Sequence, residues 1–95
     1  MAHRVDWSQR ALADLEAIAS YIELDSLAYA NAVVRKIVSM TRTLEGFPFA
    51  GRKVPEFDED STRELIAYSY RIIYRVAEAE VIVAAVIHGK RILTE

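Results

Sequence analysis

The sequence predicts an α+β fold: a β-α-α-β-β-β chain in which a helical hairpin packs on one face of a small antiparallel sheet. Three observations lead there. Two consecutive segments repeat apolar residues at helical spacing, and a stretch rich in Gly, Pro and acids follows them. After Arg63 the apolar period falls to two. The 95 residues, 53% of them hydrophobic, suffice for a single domain spanning 1–95 with one thin core.

The elements follow in order. His3 to Trp7 reads as a short strand, with His3, Val5 and Trp7 on one face and Trp7 in the core. Ser8 offers a cap oxygen for a helix over Gln9 to Leu24. Its stripe is Leu12, Leu15, Ala19 and Ile22, widened by Ala11 and Ile18, with Asp14, Glu16 and Glu23 outside. Asp25-Ser26 breaks this helix and caps a second one, Leu27 to Glu45, whose stripe runs through Ala30, Val33, Ile37, Thr41 and Leu44. Gly46 ends it and Pro48 forbids continuation. So short a connection makes the pair an antiparallel hairpin.

Phe47 to Thr62 reads as a loop. Arg63 to Ala67 is a strand, and Tyr70 to Val76 is the clearest one. Tyr70, Ile72 and Tyr74 share one face and pack under the helices; Arg71 and Arg75 occupy the other. Val81 to His88 is almost wholly apolar, as a central strand covered on both faces should be. Glu78-Ala79 makes a tight turn before it. Gly89 reads as a turn residue with positive φ. The sheet face that carries Arg71 and Arg75 is the one expected to meet a target.

Composition narrows the function. With no cysteine and only His3 and His88 as histidines, neither a metal site nor any cofactor is expected. No apolar run approaches the roughly 18 residues of a membrane span, and Met1-Ala2-His3-Arg4 leads straight into a patterned segment. A cytoplasmic chain without signal peptide is therefore expected. The net charge of −2 argues against a simple nucleic-acid binder. Yet four of the 14 acids lie in Glu56-Phe57-Asp58-Glu59-Asp60, and without them the chain has 12 bases against 10 acids. A locally basic face is compatible with that balance.

An ordered set of motifs then stands out: Trp7-Ser8 with Ala11, Asp14-Leu15 and Ile18; Leu44 with Phe47-Pro48; Gly51-Arg52 with Val54-Pro55-Glu56; Arg63-Glu64-Leu65; Tyr70 to Val76; and Val86-Ile87-His88-Gly89-Lys90-Arg91. Taken together, this set resembles the RelE/ParE toxins of type II toxin–antitoxin systems over almost the whole chain. The resemblance implies a toxin held inactive by a cognate antitoxin protein that wraps it. It also implies a pair that represses its own operon, with operator DNA contacted only through the antitoxin. The antitoxin would cover the outer faces of the helices and an edge strand, as an amphipathic helix or an added strand.

Members of this family divide by target. RelE-like toxins enter the ribosomal A site and cut mRNA without a metal; ParE-like toxins inhibit DNA gyrase. For RNA cleavage the resemblance implies Arg71 and Arg91 as phosphate-stabilising cations, and Arg63 at one of two lysine positions. His88 would be a substitute base. The second lysine position is occupied by Leu65, and no tyrosine follows Arg91 to match the one RelE uses. Whether the chain is an enzyme stays open on this reading. The incomplete set and the non-basic charge favour gyrase inhibition, with the mRNA endonuclease and a non-toxic antitoxin-binding relative as alternatives. Arg52, Lys53 and Arg75 are further candidates for phosphate or target contact. The ordinary readings stand beside these: strand arginines usually solvate a sheet face, and a terminal histidine usually makes a strand-end hydrogen bond.

Overall fold

A computed structural model describes residues 2–91. The order is β1 (Arg4–Trp7), α1 (Gln9–Glu23), α2 (Leu27–Arg42), a 3-10 turn (Thr43–Glu45), β2 (Arg52–Lys53), β3 (Thr62–Ala67), β4 (Tyr70–Val76) and β5 (Glu80–His88). The sheet order is β1-β5-β4-β3-β2. The predicted helical hairpin on a small sheet is present, in the predicted sequence of elements.

Two features go beyond the local pattern. The sheet is mixed, because β1 runs parallel to β5 while the other three pairings are antiparallel. Periodicity reveals neighbouring hairpins but not a pairing between the first and last strands. The segment read as a loop also contributes the two-residue edge strand β2, which pairs Arg52 with Glu64 and Lys53 with Arg63.

Both helix starts follow the capping rule. Ser8 Oγ accepts from the Ala11 N–H at 3.0 Å, and Ser26 Oγ accepts from the Tyr29 N–H at 3.0 Å. In α1 the buried side is rotated from the expected stripe. Ala11 and Ile22 are buried, Leu15 and Ile18 pack against the core, and Leu12 is 48% exposed. The α2 stripe holds as read, with Ala30, Val33, Ile37 and Thr41 buried.

The helices cover one sheet face. Ala11, Ile22, Ala30, Val33 and Ile37 meet Ala67, Ile72, Val83 and Val86, with Trp7 and Tyr70 at the margin. Tyr74 packs against Leu44 of the 3-10 turn and Val81 of β5. The β4–β5 register jumps between Ile73↔Ala85 and Tyr74↔Val83, leaving Ala84 as an extra residue on β5. Side chains from the start of α1 satisfy the backbone there. The Ser8 hydroxyl donates to the Ala84 carbonyl at 3.1 Å, and Asp14 Oδ2 accepts from the Val86 N–H at 2.9 Å. Asp14, read as an exposed helix residue, is therefore a strand-edge acceptor.

The second sheet face is not open, contrary to expectation. Val54 and Phe57 of the β2–β3 segment pack on Ile73, Ala85 and Ile87. Within the segment the Phe57 and Asp58 N–H groups donate to the Val54 carbonyl, at 3.1 and 2.9 Å, closing a local turn. Gly89 also departs from expectation, because it has no positive φ. Its N–H donates to the Ser69 carbonyl at 2.6 Å, and a Cβ would stand 3.0 Å from that oxygen.

Gly51 is the tightest glycine. Its N–H donates to Tyr74 Oη at 2.8 Å, and a Cβ would overlap the Glu64 carbonyl and stand 2.7 Å from Tyr74 Oη. Gly51→Ala should therefore destabilise the fold by about 1–3 kcal/mol, the usual cost of overpacking, measured as a lower urea midpoint. Burial, the largest influence, also raises the Tyr74 phenol above its ordinary value of 10.0. A raised folded-state value means that the stability it confers is complete below pH 10 and is lost as pH climbs through the folded-state value. Urea midpoints should therefore fall above about pH 10, and Tyr74→Phe should fall less steeply than the unsubstituted chain.

Candidate functional site

Arg71 lies at the centre of the second sheet face. β4 places it opposite Ile66 of β3 and Ile87 of β5. Alternation puts Glu64 of β3 on the same face, diagonal to it. Arg71 Nε donates to Glu64 Oε1 at 2.7 Å, and Nη2 lies 2.6 Å from the same oxygen. Nη1 and Nη2 donate to the two carboxylate oxygens of Glu56, both at 2.8 Å. Nη1 also donates to the Arg91 carbonyl at 3.0 Å.

A guanidinium has five N–H donors; four of them make these hydrogen bonds, and Nη2 also lies at ion-pair distance from Glu64. Arg71 is only 6% exposed, and its guanidinium is held in the charged form above its ordinary range, chiefly by the hydrogen bonds to Glu56. Glu64, whose side chain has no solvent contact, receives a second cationic hydrogen bond from Arg52 Nε at 2.6 Å. The expectation of an open cationic face around Arg71 is thus corrected. Two carboxylates already occupy the position that an anionic target would take.

The other candidates lie elsewhere. Arg63 belongs to the opposite face by alternation. It donates to the Asp60 carbonyl, to Asp60 Oδ1 and to the Gly51 carbonyl, each at 2.9 Å, and its guanidinium sits 4.9 Å over the Phe49 ring. Lys53 reaches Asp58 at 3.5 Å. Arg75 is exposed and forms no ion pair among the described residues.

His88 pairs across from Tyr70, and their rings meet edge-on at 5.9 Å. His88 Nδ1 accepts from the Lys90 N–H at 3.3 Å. His88, Arg91 and Tyr70 line an open groove of about 400 Å³ with Asp14, Ile18 and Tyr21 of α1. Tyr70 and Val86 pack toward the helices, so this groove belongs to the helix side. The residues implied for RNA cleavage are therefore divided: Arg71 on one sheet face, His88 on the other.

Sequence reasoning named the cations of this region but not Glu64 and Glu56, which decide what Arg71 does. A signal existed for Glu64, since once β3 and β4 are paired its position shares the Arg71 face. Glu56 gave none, because its segment carries no periodicity. Nor did Tyr70 and Asp14 stand out as groove residues, because the groove needs α1 beside β5.

This arrangement predicts how substitutions combine. Arg71→Met should cost about 3–5 kcal/mol, because it strips a buried carboxylate of its main cation. Adding Glu64→Gln to that variant should restore part of the loss, since it removes the stranded charge. Urea unfolding of both variants checks this, and strictly additive losses would contradict it.

The solved "Chromosomal ParDE TA system from P. aeruginosa" contains a chain with the same fold, at a TM-score of 0.77 and 23% identity, covering 94% of this chain and 98% of that one. No curated protein matches this chain by sequence. Residues 5–93 match the family described as "ParE toxin of type II toxin-antitoxin system, parDE", and the chain belongs to that family.

Proposed function

We propose that this chain is the growth-inhibiting member of a toxin–antitoxin pair, that a cognate antitoxin neutralises it, and that when freed it acts on DNA gyrase. The observation that carries the choice of target is the internal engagement of Arg71. RNA cleavage needs a cation with donors to spare for a phosphorane, and Arg71 has its donors on Glu56, Glu64 and the Arg91 carbonyl. Its separation from His88 by the thickness of the sheet supports the same choice. The working surface then consists of side chains that remain accessible, Arg75 among them, with Arg52 and Lys53 beside the acidic segment.

The antitoxin surface is proposed along the groove between α1 and β5. β1 pairs β5 only as far as Val83, so among the described residues no strand covers that edge from Ala84 to His88. Tyr21 and Leu24, at 72% and 82% exposure, extend apolar surface from the groove wall to the end of α1. An edge beside an apolar groove suits an added strand followed by an amphipathic helix. Operator DNA would be reached through that antitoxin. The proposed setting is the bacterial cytoplasm, and no helix among the described residues is long and apolar enough to cross a membrane.

The mRNA endonuclease remains the second reading, because His88, Arg91 and Tyr70 share one groove. Regulated expression separates the two. The unsubstituted chain should arrest growth with an SOS response while protein synthesis continues. A His88→Ala, Arg91→Ala variant, altered only at exposed positions, should still induce the SOS response. Immediate translation arrest, abolished by that variant, would replace the gyrase reading with the nuclease. Absence of any growth defect would replace both with a non-toxic antitoxin-binding relative.

A further inference from the structure

The basic side chains of this protein fall into two groups. Arg4, Arg10, Arg52, Lys53, Arg63 and Arg71 each meet a carboxylate at 3.5 Å or less. These are half of the 12 bases. Of the remainder, Arg35, Lys36 and Arg42 all lie on α2, a helix with no acidic residue. All three are exposed, and none forms an ion pair among the described residues.

Helix electrostatics accounts for only one of them. Arg42 is in the last turn, where a cation complements the helix dipole. Arg35 and Lys36 stand nearly two turns earlier, beyond the range of that effect. Ser39 and Thr43, both exposed, interleave with the three cations. From Arg35 to Arg42 the strip runs about 10 Å at the helical rise per residue.

The strip also lacks what a protein interface needs. Such interfaces are anchored by Trp, Tyr and Arg side chains seated in well-packed, desolvated pockets. The exposed large apolar residues of this chain reach Tyr29 and resume at Phe47, with none between. Cations with hydroxyls and no apolar anchor are instead the residue types that contact sugar and phosphate. The acidic segment does not oppose this, because Val54 and Phe57 hold it on the sheet face away from the helices.

We propose that the outer face of the second half of α2 docks on the sugar–phosphate backbone of a nucleic-acid duplex, without regard to base sequence. A duplex offers about one phosphate per 3.4 Å on each strand, so a 10 Å strip faces about three. Three cations meet three phosphates. The proposal holds whether or not gyrase is the target, because it concerns direct contact with duplex.

Fluorescence anisotropy of the purified full chain with a labelled duplex of mixed sequence tests it. Between about 50 and 200 mM salt, the logarithm of the association constant should fall with log salt at a slope of roughly −2.7, the value for three neutralised phosphates. Arg35→Ala, Lys36→Ala, Arg42→Ala together should weaken binding at the lower salt by about tenfold or more and bring the slope close to zero. Arg4→Ala with Arg10→Ala should retain both affinity and slope, and circular dichroism should show all variants folded. Failure to bind duplex at low salt would overturn the proposal, as would binding that survives the triple substitution. Equally tight binding of labelled polyglutamate would overturn it too, by marking the strip as a dock for an acidic protein.

Discussion

A carboxylate shut off from solvent keeps its charge only if cations stand against it, and Glu64 has two. Arg71 binds it from the neighbouring strand and Arg52 from the edge strand. Those contacts tie β2, β3 and β4 together through side chains as well as backbone. Arg71 also takes Glu56 from the following segment, which brings Val54 and Phe57 down on Ile73, Ala85 and Ile87. One buried charge cluster thus determines that the second sheet face is closed, and that its central cation is unavailable to an outside anion.

The helix side obeys a different constraint. β5 lies between an antiparallel and a parallel neighbour, and an extra residue at Ala84 disturbs its ladder. Ser8 and Asp14 supply the missing partners there, and no buried side-chain polar atom among the described residues is left without one. The same bulge lies where β1 stops, so the edge of β5 beyond it faces α1 across the groove. The closed face supplies stability, and the contacts proposed with other molecules lie along the groove, at the exposed ends of the helices and on α2.

Family membership and chemistry meet at Arg71. The sequence resemblance implied a phosphate-stabilising role for Arg71, but identity of the side chain does not carry identity of role. A guanidinium surrounded by two carboxylates and a carbonyl is a structural tie. The cations that remain outside such ties are therefore the more informative ones.

Much of the architecture was legible from one-dimensional pattern. Apolar spacing located both helices and the last three strands, Ser8 and Ser26 marked the helix starts, and Pro48 marked the stop. Those signals are local, arising within a few residues of the backbone they govern. What the pattern left undecided was pairing at long range: β1 against β5, Glu64 and Glu56 against Arg71, Asp14 against the Val86 N–H. Each joins groups distant in sequence, and neither residue type nor period encodes a partner so far along the chain. The sequence by itself determined the two helices and the longer strands, and the apolar faces of α2 and β4. Only the tertiary structure decided which charges are spent internally, because that depends on strand register and on where an irregular segment comes to rest.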